Sequence, residues 1–206
     1  DQTLNIYECC RILANIPIDI SKENQSLPGS LSFLEMYNVG MIEQLNILNR
    51  WKNNDPTKSL QAPVGVDKHQ ELFKLDLHEK FYGPHGLIAG MTGSGKSEFI
   101  ITYILSMALN YHPYEVSFVL IDYKGGGLTG AFENKETGIK LPHLAGTITN
   151  LDTIEMNRSL ASIQSELRKR QRIFNAARDN LNESTIDIYK YQSLYRKGLV
   201  KQPVSH

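Results

Sequence analysis

Gly90-Met91-Thr92-Gly93-Ser94-Gly95-Lys96-Ser97 is the stretch of this chain whose residue types and spacing match a defined chemistry. Its glycines let the backbone turn tightly and bring amide N–H groups up to an anion. A helix opening near Lys96 aims its unpaired N–H groups and positive dipole end at the same point. Lys96 supplies a mobile point charge for β- and γ-phosphates, and the Ser97 hydroxyl is a ligand for Mg²⁺. The stretch satisfies G-x-x-x-x-G-K-[ST] at every fixed position, which is the P-loop pattern. The candidate nucleotide ligands are therefore Gly90, Met91, Thr92, Gly93, Ser94, Gly95, Lys96 and Ser97, with ATP and Mg²⁺ as the expected cofactors and Lys96 as the catalytic cation.

Hydrolysis needs more than a phosphate cradle. An acid on a neighbouring strand must help hold Mg²⁺, and an acid or amide must orient water. Phe118-Val119-Leu120-Ile121-Asp122 has the outline of such a Walker B strand, four apolar residues and an acid. It is, however, the first strand after the P-loop helix, and Tyr123 and Lys124 follow it in place of a second acid. Asp122 therefore reads as a strand-end residue shaping the cleft, with magnesium ligation the lesser reading. No other apolar run ending in an acid appears downstream of Asp122, so the catalytic acids are expected beyond His206. The chain opens at Asp1 without a methionine and reads as a segment of something longer. It supports nucleotide binding better than turnover.

Other chemistry-bearing residues read more plainly. Cys9 and Cys10 are adjacent, which suits neither ordinary disulfide geometry nor a zinc site lacking further ligands. They read as ordinary thiols of a reducing compartment. His143 has no metal partner at ligand spacing and reads as structural.

The elements that must position the loop follow from periodicity. Gly86 to Gly90 reads as a short buried strand leading into the loop, and Phe99 to Leu109, apolar nearly all round, as a helix enclosed by protein. His112-Pro113 ends that helix. Val116 to Ile121 and Leu144 to Ile148 read as further buried strands, and Asp152 opens a long helix. Along that helix Met156, Leu160, Ile163, Leu167 and Phe174 form a stripe expected in the core, while its arginines and lysines fall largely on other faces. Leu72, Phe73, Leu75 and Leu77 suggest an exposed strand or hairpin arm. Short apolar strands alternating with helices point to a parallel sheet with helices on its faces. Upstream, Tyr7 to Ile16 reads as a strand or a short helix, and Asn24 to Ser30 holds a Pro-Gly turn. Ser32 with Glu35 reads as a helix cap, and Met41 to Trp51 as a helix. Gly125, Gly126, Gly127, Gly130 and Gly138 lie in a long connection that reads as a partner-contacting loop or a plain surface loop.

Composition sets outer bounds. Lysine plus arginine number 22 and aspartate plus glutamate also 22, so the chain has no overall electrostatic pull on nucleic acid or an anionic surface. A hydrophobic share of 41% is ordinary for a globular chain and supplies a sizeable core. No apolar run reaches bilayer-crossing length.

With the P-loop, Leu120-Ile121-Asp122-Tyr123-Lys124 and Leu141-Pro142-His143-Leu144 in this order, the chain resembles the FtsK/SpoIIIE ATPases. It is more similar to the type VII secretion motor ATPases (the EssC/EccC type). That similarity rests on Met91 to Ser97 with Glu98, on Asp122-Tyr123-Lys124-Gly125-Gly126-Gly127, and on Glu166 to Gln171. Ser32-Phe33-Leu34-Glu35-Met36-Tyr37 also looks like the stretch before the first motor domain of that family. The resemblance implies Glu98 as part of the nucleotide-binding set. It implies a membrane-associated hexameric motor that exports small helical-hairpin proteins alongside other membrane components, with its ATPase domains on the cytosolic face of a bacterial membrane. It also implies Arg170, in the Arg170-Gln171 pair, as an arginine finger acting in trans.

The expectation is a RecA-like P-loop α/β domain over residues 62–206, ending before its Walker B strand, preceded by a small lead-in element over residues 1–61. No nucleic-acid partner is expected. The rival readings are a DNA translocase of the same fold and a nucleotide-binding regulatory domain that does not hydrolyse.

Overall fold

The computed structural model describes residues 29–122, 127–134, 136–149 and 153–206, the side chains of the last stretch from Met156. The expectations for Tyr7 to Ile16, Cys9 and Cys10, the Pro-Gly turn before Gly29, Gly125, Gly126 and Asp152 lie outside these residues.

The described chain opens with a short helix α1 (Phe33–Met36). Its cap is the reciprocal one that Ser32 and Glu35 predict: the Glu35 N–H donates to Ser32 Oγ (3.3 Å) and the Ser32 N–H to Glu35 Oε2 (2.8 Å). The single helix expected over Met41 to Trp51 is instead split into a 3-10 turn (Ile42–Leu45) and helix α2 (Ile47–Asn53). Gln44 Oε1 takes the N–H groups of Gly40 (2.8 Å) and Met41 (3.1 Å), closing a tight turn. Asn46 then sits left-handed at φ 51°, a conformation asparagine tolerates better than most residues.

Strands β1 (Gln61–Val66) and β2 (Leu72–Asp76) form an antiparallel hairpin, with Gln61 opposite Asp76 and Val66 opposite Leu72. Asp67 Oδ1 accepts the N–H groups of His69 and Glu71 and so ties the turn. The central helix α3 (Lys96–Asn110) follows the P-loop. Three surfaces enclose it, which explains its nearly continuous apolar sequence. Met107 packs with Leu60, Ala62, Tyr111 and Val116. Ile104 packs with Leu120, Phe132 and Leu144. Leu109 packs with Met36, Tyr37 and Leu45 of the lead-in region.

The lead-in region also caps the far end of α3. The Trp51 indole N–H donates to the Ala108 carbonyl (2.9 Å), and Asn54 Nδ2 to the Asn110 carbonyl (2.9 Å). Carbonyls in a helix's last turn have no intrahelical donor, so these side chains satisfy groups that would otherwise need water. A buried polar chain backs them: Tyr37 OH donates to Ser106 Oγ (3.0 Å), and Asn110 Nδ2 donates to Tyr37 OH (3.1 Å) and to the Ser106 carbonyl (2.7 Å).

β3 (Phe118–Ile121) pairs in parallel with β6 (Leu144–Ile148), Phe118 opposite Leu144 and Ile121 opposite Ile148. The connection between them carries a 3-10 turn (Thr129–Ala131) and a small antiparallel pair, β4 (Glu133–Asn134) with β5 (Ile139–Lys140). Helix α4 (Thr153–Leu181) and helix α5 (Ile188–Arg196) follow. The last residues return to β3: the His206 N–H donates to the Glu115 carbonyl (2.7 Å) and the Ser117 N–H to the His206 carbonyl (3.2 Å). This is one rung of a parallel ladder on the edge of β3 away from β6.

Two further expectations are corrected. Gly86 to Gly90 is not a buried strand: it belongs to no ladder, Leu87 is 94% exposed and Ile88 44%. An apolar run becomes a central strand only where neighbouring strands take up its N–H and C=O groups, and no described strand pairs with this one. The α4 stripe is core only at its far end, where Phe174 packs with Ala177, Tyr191 and Val204. Leu160 and Leu167 are more than half exposed. The described parallel sheet is only two strands wide, so the first half of α4 overhangs it. A cavity of about 500 Å³ lies there, lined by Val119, Ile148, Ile163, Leu167, Glu166 and Arg170 among others. No described helix is long and apolar enough to cross a membrane.

Candidate nucleotide site

The loop from Gly90 to Ser97 is built by backbone that only glycine adopts cheaply. Gly93 and Gly95 lie at φ 80° and 83°, and Gly95 is the N-cap of α3. An L side chain in the left-handed region costs about 1–2 kcal/mol, so these two positions fix the loop's course. The Ser94 N–H donates back to the Met91 carbonyl (3.2 Å), and the Phe99 N–H to the Gly95 carbonyl (2.9 Å) starts the helix. The first turn of α3 thus opens directly on the loop, with its unpaired N–H groups there. Ser97 and Glu98 lie in that turn and are exposed.

Lys96 is held by its own loop. Its Nζ donates to the carbonyls of Gly90 (2.8 Å) and Met91 and approaches Ser94 Oγ at 3.5 Å. The ammonium is therefore centred over the loop. A polyphosphate that binds here exchanges neutral carbonyl acceptors for anionic oxygens, which make shorter and stronger bonds to a charged donor. The left-handed glycines, the helix start, Lys96 and an exposed Ser97 hydroxyl together fit a nucleotide phosphate chain with its divalent cation.

The remaining candidates lie elsewhere. Asp122 directly follows β3; its N–H donates to the Ile148 carbonyl (2.9 Å), and its Oδ2 accepts the Leu128 N–H (3.1 Å). Arg170 lies on α4, where Nε donates to Glu166 Oε1 (3.1 Å) and Nη1 to the Ser205 carbonyl (2.7 Å). Among the described residues neither contact is with the P-loop. Burial works to raise the Glu166 carboxyl, but the Arg170 hydrogen bond and the Lys169 charge outweigh it and hold the group below its usual value. His143 is buried with Nε2 2.7 Å from the Tyr111 carbonyl. Nε2 therefore carries the proton, and burial lowers the ring's pKa; its role is packing, edge-on to Trp51.

Sequence reasoning misses the side chains that fasten these parts together. Gln192, buried on α5, donates from Nε2 to the carbonyls of Glu115 (2.7 Å) and Val204 (3.0 Å). Ser117 and Ser205 share a 2.6 Å hydroxyl contact. Arg196 pairs with the buried Glu115 through Nη2 (2.8 Å) and Nε, and Nη2 also donates to the Asn54 carbonyl. Asp76 accepts from Ser59 Oγ, Leu60 N–H and His78 N–H, which ties the hairpin to the chain entering it. Most of these partners are far apart in sequence, so no local pattern announces them.

Comparison with known proteins agrees with this geometry. The model of the FtsK/SpoIIIE family matches residues 45–195. The type VII secretion system protein EssC of Staphylococcus aureus (strain NCTC 8325 / PS 47) is 48% identical over 196 residues, which is 95% of this chain and 12% of that protein. The chain thus spans only a small part of this curated relative. Among solved structures, the cytoplasmic domain of the Thermomonospora curvata type VII secretion ATPase EccC superposes with a TM-score of 0.60 at 24% identity, covering 85% of this chain and 20% of that one. ATPases 2 and 3 of the same EccC, in complex with a signal sequence peptide, give a TM-score of 0.52 at 28% identity, covering 68% and 24%. These likenesses show the fold as a RecA-like P-loop α/β domain, with parallel strands flanked by helices. With the family match running from the lead-in region through the P-loop to α5, the chain belongs to the FtsK/SpoIIIE family.

Proposed function

We propose that this chain is an ATP-binding part of a bacterial type VII protein secretion motor, coupling ATP binding and hydrolysis to export of small helical-hairpin proteins. The observation that carries the reading is the loop itself: two left-handed glycines, Lys96 centred over the turn, and Ser97 exposed at the start of an enclosed helix. The extended similarity to EssC over almost the whole chain supplies the biological setting.

In this reading the loop amides and Lys96 hold the β- and γ-phosphates, and Ser97 holds Mg²⁺, which neutralises charge developing on the transferred phosphoryl group. Glu98 sits beside Ser97 in the first turn of α3. No second acid follows Asp122, so full turnover is assigned to the parent motor and weak or no turnover to this chain alone. A hexamer at the cytosolic face of the membrane, working with other membrane components, fits the family's mode of action. Substrate contact is supported by the signal sequence peptide bound to ATPases 2 and 3 of EccC.

Turnover by the full-length motor, measured with its cognate substrates present, tests this. Lys96→Ala should reduce the share of ATP hydrolysis and export that depends on this site to background. Unchanged hydrolysis and export in an assembled Lys96→Ala motor would contradict the proposal.

A further inference from the structure

We propose that Arg170 acts within its own subunit as a positioning residue, fastening Val204 to His206 onto the outer edge of β3 in parallel register. The catalytic consequence rests on the ATPase reading above; the structural part does not.

The fastening is more elaborate than one rung of ladder requires. Backbone bonds join His206 to Glu115 and Ser117. Arg170 takes the Ser205 carbonyl at 2.7 Å, while Glu166, one helical turn earlier, holds the same guanidinium at 3.1 Å. Gln192 bridges the carbonyls of Glu115 and Val204, and Ser117 and Ser205 meet through their hydroxyls. Two helices thus contribute one charged and one buried amide donor to a segment of three residues. A guanidinium presents its donors in a fixed fork, so Arg170 sets direction as well as distance.

The Ser117 N–H faces His206, and by strand alternation the N–H groups of Val119 and Ile121 face the same edge. The rung at His206 has parallel geometry, so the Val204 to His206 segment points towards the end of β3 next to Asp122. In open α/β sheets ligands bind at the carboxyl ends of the strands. A guanidinium swung away towards a neighbouring subunit's nucleotide would give up the Glu166 and Ser205 contacts it makes here.

Two measurements test the assignment. In this chain without nucleotide, amide hydrogen exchange should show protection of Ser117 and His206 falling at least about tenfold in Arg170→Ala. Arg170→Lys should fall less, and α3 amides should be unchanged, which separates release of the segment from unfolding. Wild-type protection of Ser117 and His206 in Arg170→Ala would overturn the proposal. In the assembled motor, Arg170→Ala subunits are mixed with Lys96→Ala subunits. A residue acting in its own subunit gives no recovery of turnover in the mixture, whereas a trans finger gives intact sites wherever the two kinds adjoin. Recovered turnover would overturn the proposal; an inactive wild-type motor would instead count against the ATPase reading and leave the exchange result standing.

Discussion

Asn110→Ala should loosen the lead-in region from the P-loop helix, and its size can be worked from the contacts. Asn110 is 6% exposed. Its side chain donates to the Ser106 carbonyl (2.7 Å) and Tyr37 OH (3.1 Å), and its Oδ1 is approached by Arg50 Nη1 (3.3 Å) and Asn54 Nδ2 (3.4 Å). The two longer contacts count for little, because Arg50 keeps the Leu45 carbonyl and Asn54 keeps the Asn110 carbonyl. The two shorter ones contribute about 1 kcal/mol each, and the lost packing adds to that, for a total of about 2–3 kcal/mol. In a chain of this size that corresponds to a fall in Tm of roughly 5–10 °C. Urea unfolding of wild type, Asn110→Ala, Tyr37→Phe and the double variant completes a cycle, and the Tyr37–Asn110 coupling should be about 1 kcal/mol. A loss below about 0.5 kcal/mol, or strict additivity, would refute the claim that the lead-in residues and α3 form one polar-linked core.

Within the P-loop, Gly93→Ala and Gly95→Ala should each weaken ATP binding about five- to thirtyfold, since each forces a side chain into left-handed backbone at about 1–2 kcal/mol. Gly90→Ala should be milder, because the close atom is the Ser94 hydroxyl, 2.6 Å from the added carbon and free to rotate; equal losses at all three positions, read by calorimetry, would show that backbone conformation is not what the glycines supply. Burial, with His78 and Arg170 nearby, lowers the His206 imidazole pKa to about 4, against a weaker opposing pull from Asp187. The unfolded chain therefore takes up a proton near pH 6.5 that the folded chain refuses until near pH 4. The stabilisation is complete above pH 6.5 and falls on acidification, by about 2 kcal/mol at pH 5. Urea midpoints at pH 7 and pH 5 should show wild type losing more than His206→Asn; equal losses would contradict the burial of that ring.

The candidate site was legible because phosphate binding would demand particular residue types side by side: Gly93, Gly95, Lys96 and Ser97 lie in one short stretch at the start of α3. The Ser32–Glu35 cap was legible for the same reason, being decided within a few residues, and β3 and β6 were legible as short apolar runs that do find each other as partners. What escaped depends on distant partners. Gly86 to Gly90 has a strand's composition, but strand formation requires neighbours that composition cannot show. Leu160 and Leu167 keep helical periodicity whether or not a sheet lies beneath them. The break at Asn46 turns on Gln44 reaching back to Gly40, a choice that propensity leaves open. Gln192, Glu115, Arg196 and Ser205 carry no motif at all, yet they decide where the chain returns to β3.

The central claim, that Gly90 to Ser97 is a formed phosphate site governed by Lys96, is tested most directly by calorimetric titration of Mg-ATP into this chain beside Lys96→Ala. The account predicts saturable binding to wild type with one nucleotide per chain, and its loss in a Lys96→Ala chain whose circular dichroism is unchanged. Equal binding by both chains, or none by wild type, would contradict it.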